Sequence, residues 1–429
     1  MVQIPVISFF VTFLFLLIIK VPIAFSMILP SFIYLFMTGM PLSIVAQRLF
    51  DPLRSPSFLA IPFYILAAEI LNITGVTSKI FNFARKLVGF LPGGLAQVNV
   101  LASMIFAGMS GSAVADAGGL GRIELEEMKK ANYDMSYAAG ITGASAIIGP
   151  IIPPSIPLVI YGVIAEESIV RLFIGGFIPG CIIGLFLMAE CFYLAIKNPS
   201  KFPRDPKPTL SGVLSATKLA FLPLLLPIII IGGIITGKFT ATEAGSIAVL
   251  YAIVLSLING TFSLRSISIA FKNSMRSTAL ILFILGAALV FSWIVTVTQI
   301  PQILLRTVLI FTSNKILILA FIALLIIFLG TFLTATSSLI IITPILVGFA
   351  KVLNIDLVHL GVFLVIGVMI GTITPPIGSV LFVLSDITHI SVIKIAKACS
   401  IFYITLLISW LIIIYFPSTV LFLPKLVFK

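Results

Sequence analysis

The stretches that decide the fold of this chain are I-F-A-G-M-S-G-S at residues 105–112 and G-P-I-I-P-P-S-I at residues 149–156. Both return 222 residues later, as I-F-L-G-T-F-L-T at 327–334 and G-T-I-T-P-P-I-G at 371–378, and both pairs align without a gap. Each stretch is rich in Gly, Pro, Ser or Thr, whereas the chain around it is apolar. The spacing therefore predicts one structural unit used twice, with interruptions at matching places in each copy.

The composition is that of a membrane protein with several spans. Of 429 residues, 60% are hydrophobic and 9% are charged, whereas soluble proteins carry about 25% charged residues. Apolar runs of about 20 residues, the length of a membrane-spanning helix, recur along the chain. The longest polar stretch lies between Lys197 and Lys218, so we expect an all-α polytopic membrane protein without a soluble domain.

The repeat divides the chain into a first unit at 1–200, a cytoplasmic linker at 201–218 and a second unit at 219–429. Each unit is expected to contain full-length spans, a hairpin that enters and leaves the membrane on the same side, and a helix broken near its middle. The hairpins are expected at about 94–121 and 316–349, and the broken helices at 136–164 and 357–383.

Lysine and arginine are concentrated in four segments: 79–86, 122–130, the linker and 261–277. Such an excess marks the cytoplasmic side of a membrane protein, and it also accounts for the net charge of +12 through contacts with lipid headgroups rather than nucleic acid. The assignment is consistent only if the first hairpin opens to the cytoplasm and the second to the outside. The units are then inverted repeats, with both chain termini on the outer side.

The first hairpin carries groups that can bind a cation and an anion. Gly108 and Gly111 interrupt an apolar helix, and hydroxyls flank them at Ser103, Ser110 and Ser112. Two half-helices that meet at such a tip offer N–H groups, which suit a carboxylate, and carbonyl groups, which suit a small cation. The alternative is close packing of small residues between helices, but the repetition of the pattern favours a binding site.

Both broken helices are interrupted by proline pairs. Pro150, Pro153 and Pro154 fall within five positions, and Pro375 and Pro376 follow in the second unit. Proline removes a backbone donor and clashes with the preceding turn, so two in succession end a helix. Hydroxyl-bearing residues crowd the second tip and the second break: Thr331, Thr334, Thr336, Ser337, Ser338, Thr372 and Thr374.

Uncharged oxygen ligands of this kind indicate sodium. A proton-coupled carrier would instead need carboxylates or histidines deep in the spans. We therefore predict two sodium sites, one per unit, each between a hairpin tip and the broken helix that faces it. The candidate deep carboxylates are Glu69, Asp116 and Glu190. Among them Asp116, five residues after Gly111, is expected to take part in ion binding, directly or through a ligand.

Motifs for other functions are absent or broken. Neither H-E-x-x-H nor G-x-S-x-G occurs, and no nucleophile–base pair supports an intramembrane enzyme. The string at 232–239 nearly matches a phosphate-binding loop, but Phe239 stands where Ser or Thr is required. A passive channel would need a continuous polar path, and the chain offers two separate polar clusters instead.

Four stretches resemble the large membrane subunit of tripartite ATP-independent periplasmic (TRAP) transporters, the DctM-like family: S-G-S-A-V-A-D-A from Ser110, I-I-P-P-S-I from Ile151, I-P-F-Y-I-L-A-A-E-I-L from Ile61 and G-T-I-T-P-P-I-G from Gly371. The resemblance implies an elevator mechanism, in which scaffold helices stay fixed while a transport domain of both hairpins and both broken helices moves. It also implies a sodium gradient and a carboxylate substrate such as sialic acid or a C4-dicarboxylate. The implied partners are a separate small four-helix membrane subunit and a periplasmic substrate-binding protein.

Carried onto this chain, the resemblance implies two overlapping groups of site residues. Sodium ligands are expected at Ser103, Ser110, Gly149, Pro150, Pro153, Gly330, Thr334, Thr336, Gly371, Thr374 and Pro375. Solute contacts are expected at Ser110, Gly111, Ser112, Ser155, Thr336 and Ser337.

Together these features predict the permease subunit of a sodium-coupled importer in the bacterial cytoplasmic membrane. Sodium and a carboxylated solute are expected to bind between the two tips. The nearest alternative is a sodium/carboxylate symporter of the same fold that works without a binding protein.

Overall fold

The computed structural model describes residues 3–19, 21–54, 56–300, 302–303, 312, 314–376 and 378–428. Throughout these ranges the regular structure is helical and no strand occurs. The prediction of an all-α protein is therefore confirmed.

The helices follow one another with short connections. Those of the first half are α1 (Gln3–Ile18), α2 (Ile23–Thr38), α3 (Ser43–Arg54), α4 (Ala60–Ile73), α5 (Val76–Val88), α6 (Leu95–Ser110), α7 (Ala113–Gly118), α8 (Leu120–Lys130), α9 (Met135–Ala146), α10 (Ile156–Ile164) and α11 (Ile169–Lys197). Those of the second half are α12 (Leu210–Ile235), α13 (Ala241–Ile258), α14 (Leu264–Val297), α15 (Lys315–Phe332), α16 (Ala335–Leu353), α17 (Leu357–Thr372), α18 (Ser379–Thr388), α19 (Val392–Tyr415) and α20 (Ser418–Val427).

Many of these helices have the length and hydropathy of membrane spans. Within the described residues seven qualify, namely α11, α12, α13, α14, α15, α16 and α19. The pair α4 and α5 would make an eighth span, bent by 74° at its break. Large apolar side chains such as Phe36 and Ile18 are more than three-quarters exposed, as expected where lipid replaces water. The chain is a multi-pass membrane protein.

The helix bounds in the two halves follow the offset of 222 residues. Adding 222 to α6 gives 317–332, where α15 lies, and adding 222 to α9 gives 357–368, where α17 lies. In the same way α10 corresponds to α18 and α11 to α19. Two pairs of helices each have a single continuous counterpart. α3 and α4 are separated by a short turn at Pro56–Leu59, whereas α14 is one helix of 34 residues, and α7 and α8 correspond to the single helix α16.

The first hairpin is longer than the predicted 94–121. α6 runs to Ser110, the chain turns at Gly111, and α7 and α8 return as far as Lys130. The predicted hairpin ended before the charged residues of α8, but this helix is amphipathic and buries Glu124 and Leu125 on one side. Its other charged residues lie on the more exposed side, so the charged segment is helical and belongs to the hairpin.

Both predicted helix breaks are present. In the first half, helical structure stops at Ala146 and resumes at Ile156; in the second half it stops at Thr372 and resumes at Ser379. The Pro153–Pro154 and Pro375–Pro376 peptide bonds are both cis. The breaks therefore coincide with the proline pairs that predicted them.

The connection between the halves is shorter than the predicted 201–218, because α12 already begins at Leu210. It is also docked on the base of the first hairpin. Arg85 of α5 donates two hydrogen bonds to Asp205 of the connection, at 2.7 and 2.9 Å, and one to Glu127 of α8 at 3.0 Å. We call these three residues the linker clasp. The clasp joins α5, the first hairpin and the connection between the halves.

Candidate ion and solute site

The first hairpin tip is a turn at Gly111 and Ser112. Gly111 has a φ of 60°, in the left-handed region that favours glycine, and Ser112 caps α7 by accepting from the Ala115 N–H at 3.4 Å. A Cβ atom on Gly111 would lie 2.6 Å from the Pro154 carbonyl oxygen. The Ile156 N–H donates to the Gly111 carbonyl at 3.4 Å. The tip and the first break are therefore in direct contact.

The first break is buried throughout, including the predicted ligands Gly149, Pro150 and Pro153. The Ser155 hydroxyl donates to the Pro150 carbonyl oxygen and accepts from the Leu158 N–H at 3.1 Å. Ser155, predicted to touch the solute, instead closes the break and starts α10. It is fully buried and is not among the residues that line the cavity described below.

Asp116 is a buried carboxylate with one oxygen left unpaired. Its side chain is 1% exposed. Its Oδ1 accepts a hydrogen bond from the Ser110 hydroxyl, whereas its Oδ2 has no hydrogen-bond partner among the described residues. A Cβ atom on Gly149 would lie 2.5 Å from this Oδ2, so the carboxylate faces the backbone of the first break. A buried negative charge is costly unless a cation pairs with it.

Ser103 lies in a polar network about two helical turns before the tip. Its hydroxyl donates to Ser145 at 3.1 Å, and Ser145 donates to the Asn99 carbonyl oxygen at 2.6 Å. The Asn99 amide in turn donates to Glu124 and to Thr142, both at 2.8 Å. Ser103 thus belongs to a network that connects α6, α8 and α9.

The second tip is built around a contact between two glycine backbones. A Cβ atom on Gly371 would lie 2.5 Å from the carbonyl carbon of Gly330, so α15 and α17 cross with only hydrogen atoms between them. Thr334 caps α16 by accepting from the Ser337 N–H at 3.4 Å, and the two hydroxyls are 2.9 Å apart. Ser337 is buried, whereas Thr336 lines the cavity. All five predicted residues of this region lie at or beside the tip.

The second break is more open than the first. The Thr374 hydroxyl donates to the Ile370 carbonyl at 2.8 Å, and the Thr372 hydroxyl donates within its own helix at 2.6 Å. Each oxygen keeps an acceptor site that can face a cation. Pro375 is exposed, whereas its counterpart Pro153 is buried, so the predicted ligand Pro375 lies at the open side of the loop.

A cavity of about 780 Å³ connects the two tips and the two breaks. The two repeats contribute Ser110, Gly111, Ser112, Pro150, Thr334, Thr336, Thr372 and Ser379 to its lining. The corner between α4 and α5 and one face of α14 close the remaining side, with Glu69, Asn72, Ser78 and Ser277. A volume of this size is typical of sites for small organic molecules.

Several polar residues of the cavity were not predicted as site residues, among them Arg122, Asn72 and Ser277. The basic cluster at 122–130 was interpreted only as a signal for membrane orientation. Asn72 interrupts a largely apolar helix but belongs to no motif, and Ser277 ends the basic segment 261–277, which likewise served only for orientation.

The family model described as "Tripartite ATP-independent periplasmic transporter, DctM component" matches residues 10–419. The chain belongs to the DctM family. The resemblance drawn from the tips and breaks is thereby confirmed.

Several TRAP transporter permeases match this chain over most of its length. The sialic acid TRAP transporter large permease SiaM of Vibrio cholerae is 39% identical over 407 residues, which cover 94% of this chain and 95% of the relative. The C4-dicarboxylate TRAP transporter large permease DctM of Pseudomonas aeruginosa is 34% identical over 382 residues, or 89% of each chain. This DctM chain is a TRAP transporter large permease and not an enzyme.

Among solved structures, the Alcanivorax borkumensis YdaH transporter superimposes on the DctM chain with a TM-score of 0.57. The match covers 86% of this chain and 88% of the other, with 14% sequence identity. At this identity the likeness shows the fold alone, which is that of a polytopic membrane transporter.

Proposed function

We propose that this chain is the sodium-coupled permease subunit that imports a carboxylated solute, such as sialic acid or a C4-dicarboxylate, across the bacterial cytoplasmic membrane. The observation that carries the proposal is the cavity of about 780 Å³ that both tips and both breaks line. A symporter has to hold its ion and its solute close enough for each to stabilise the binding of the other. The cavity provides that shared position.

The first sodium ion would bind in the first half, between the tip and the break. Asp116 supplies an unpaired, buried carboxylate oxygen, and Ser110 supplies a hydroxyl that already contacts the same side chain. Unwound backbone next to Gly149 adds carbonyl groups, which commonly coordinate sodium in transporters with broken helices. A cation here compensates the buried charge of Asp116.

The second sodium ion would bind in the second half to uncharged oxygens. Candidate ligands are the Thr334 and Thr374 hydroxyls and carbonyl groups beside the contact between Gly330 and Gly371. The approach of two helix backbones at that contact lets carbonyl groups from α15 and α17 face the same point. A site of this kind holds sodium without titrating.

The solute carboxylate is expected at the starts of helices that border the cavity. α16 begins at Ala335 and α18 at Ser379, and both residues line the cavity. The first N–H groups of a helix have no partner within the helix, and the helix dipole favours an anion there. The hydroxyls of Ser112 and Thr336 add further donors.

Occupancy of the tips provides a reason for coupling in an elevator mechanism. Empty tips leave the Asp116 Oδ2 unpaired and the first N–H groups of the bordering helices without partners within the helix, and taking an unpartnered polar group into an apolar environment costs roughly 2–7 kcal/mol. Sodium and solute satisfy these groups together. The transport domain, made of both hairpins and both broken helices, then moves past the scaffold more readily when it is loaded than when only one of the two ligands is bound.

The proposed complex has three components, as the family description "tripartite" suggests. We place a small four-helix membrane subunit beside the apolar outer face and a periplasmic binding protein on the outer side, where the proposed topology puts both termini. In this topology the cavity opens to the cytoplasm, because Arg122 and the α4–α5 corner belong to the basic, cytoplasmic segments.

Uptake by proteoliposomes that contain the permease and its small subunit tests the proposal. Ser110→Ala and Thr374→Ala are each expected to raise the sodium concentration needed for half-maximal uptake, because each removes one oxygen ligand. Unchanged sodium dependence in both variants would contradict the assigned sites. Uptake that needs no added periplasmic protein would favour the stand-alone symporter, and the absence of accelerated exchange in counterflow would favour a channel.

A further inference from the structure

The cavity is lined by one cationic and one anionic side chain. Among its lining residues, Arg122 and Glu69 are the two that ionise. They lie on different elements, Arg122 in the first turn of α8 and Glu69 near the end of α4. The cavity therefore has a positive side on the first hairpin and a negative side on the α4–α5 corner.

Arg122 is an exposed guanidinium without an ion-pair partner in the part of the chain that the structure describes. Three other described arginines have ion-pair partners: Arg48 with Asp51 at 3.7 Å, Arg85 with Asp205 at 2.7 Å and Arg171 with Glu167 at 3.2 Å. Unlike the further unpaired arginines, Arg122 lines the cavity. The residue 222 positions after Arg122 is Pro344, so the second repeat supplies no matching cation. An anion that enters the cavity meets one fixed positive charge.

The opposite side of the cavity offers hydrogen-bond acceptors. Glu69 accepts a hydrogen bond of 3.4 Å from the Asn273 amide, which leaves most of its acceptor capacity free.

We propose that Arg122 binds the carboxylate of the solute while Glu69 accepts hydrogen bonds from hydroxyl or amide groups at its other end. The inference rests on the proposed function and narrows its substrate class to hydroxylated monocarboxylates, with C4-dicarboxylates disfavoured. A guanidinium binds a carboxylate through paired, charge-assisted hydrogen bonds. A second carboxylate would have no cation and would approach Glu69, and like charges placed together disfavour binding.

Equilibrium binding to the permease complex in lipid nanodiscs tests the proposal. Without the periplasmic protein, the assay reports only the selectivity of the permease. The probe is radiolabelled N-acetylneuraminate in sodium buffer, and the competitor is succinate. In the wild type, succinate is expected to compete at least about tenfold more weakly than unlabelled N-acetylneuraminate. Arg122→Gln is expected to weaken probe binding about tenfold or more, the loss typical of a charge-assisted pair.

Three matched variants sharpen the test. Arg122→Lys keeps the charge without the paired geometry and is expected to bind between the wild type and Arg122→Gln. Lys129→Gln removes a charge from the same helix outside the cavity and is expected to bind like the wild type. Glu69→Gln is expected to improve competition by succinate, because it removes the negative charge that opposes the second carboxylate.

Sodium-induced thermal stabilisation, measured without solute, provides the second readout. It should be the same in Arg122→Gln and the wild type. Loss of that stabilisation would mean that Arg122 supports the structure of the site, and it would overturn the inference. So would probe binding by Arg122→Gln within twofold of the wild type, or equal competition by succinate. A wild-type complex that binds neither acid would contradict the proposed function itself.

Discussion

At the scale of single residues, Asp116 distinguishes the two halves. Its counterpart 222 positions later is Ser338. Ser338 is fully buried and donates to the Leu329 carbonyl at 3.2 Å, so its hydroxyl is satisfied within its own hairpin. Asp116 keeps an unpaired oxygen against the first break. At equivalent positions, the polar side chain of the second hairpin is therefore fully hydrogen-bonded, whereas that of the first hairpin has an oxygen free to bind a cation.

Asp116→Asn is expected to raise thermal stability in the absence of sodium and to reduce the stabilisation that sodium provides. Without sodium the variant should be more thermostable than the wild type, because an isolated buried charge is removed while the side chain keeps its shape. With sodium it should gain less stabilisation and need more of the ion for uptake. Thermal melting across a sodium titration measures both effects.

Glu126→Gln is the control for this prediction, because Glu126 is an exposed acid on the same hairpin. It should behave like the wild type throughout. An Asp116→Asn variant that is stabilised by sodium as strongly as the wild type would rule out Asp116 as an ion ligand.

Gly111 tests the contact between the first tip and the first break. Gly111→Ala combines a left-handed φ, which costs about 1 kcal/mol for a residue with a Cβ atom, with a Cβ placed 2.6 Å from the Pro154 carbonyl. We expect a loss of more than about 2 kcal/mol in stability and loss of uptake. Gly232→Ala, in α12 with nothing within 4 Å of the added Cβ, should instead be neutral or stabilising by about 0.5–1 kcal/mol. Equal melting temperatures for the two variants would contradict the described contact.

At the scale of elements, α8 and the connection between the halves act as one assembly. α8 returns the first hairpin to the basic side of the molecule, and the linker clasp holds it against α5. The clasp consists of charged groups that are about one-quarter to one-third exposed. It therefore fastens the base of the hairpin by ion pairs of moderate strength, whereas the tip is held by close backbone contact.

Asp205→Ala is expected to destabilise the protein by about 1 kcal/mol, because it removes a two-point ion pair that is partly screened by solvent. The melting temperature should fall accordingly, and the effect should shrink at high salt. Arg204→Ala, an exposed neighbour in the same connection, provides the matched control. An equal fall in melting temperature in both variants, or no fall in either, would show that the ion pairs of the linker clasp do not stabilise the protein.

The elements were more predictable from the sequence than the contacts between them. Proline pairs fixed the two breaks, because proline cannot continue a helix whatever surrounds it. The limb from 122 to 130 was left outside the predicted hairpin, because the sequence shows its charges but not the buried face on which Glu124 packs. The polar network around Ser103 was missed for a similar reason. Asn99 and Glu124 meet only because the hairpin folds back on itself, and neither position carries a local pattern.

At the scale of the whole molecule, the halves share their geometry and differ in their interiors. The network of the first half joins Ser103, Asn99, Glu124, Thr142 and Ser145. The equivalent positions in the second half are Leu325, Phe321, Leu346, Leu364 and Gly367. Polar bonding stabilises one half and apolar packing the other. The repeat was readable from the sequence because glycine and proline define its breaks, and this divergence explains why identity elsewhere is weak.

Cross-linking tests the proposed movement of one part of the molecule against the other. Ser277 on α14 and Thr336 on α16 line the same cavity and belong to the proposed scaffold and transport domain. In a background without Cys181, Cys191 and Cys399, a short bifunctional thiol reagent should link cysteines at these two positions and abolish uptake. Each single-cysteine variant, treated in the same way, should retain more uptake than the linked pair. Full uptake by the linked pair would contradict an elevator movement.

The crossing of Gly330 and Gly371 has a consequence for tracing ancestry. Side chains around the cavity can be exchanged as one solute replaces another, but a methyl group at this crossing would meet the neighbouring backbone at 2.5 Å. Two glycines on touching helices should therefore outlast the chemistry around them among permeases of this family that carry different solutes. A search of transporter structures for such a glycine pair would identify relatives that sequence motifs of the binding site miss.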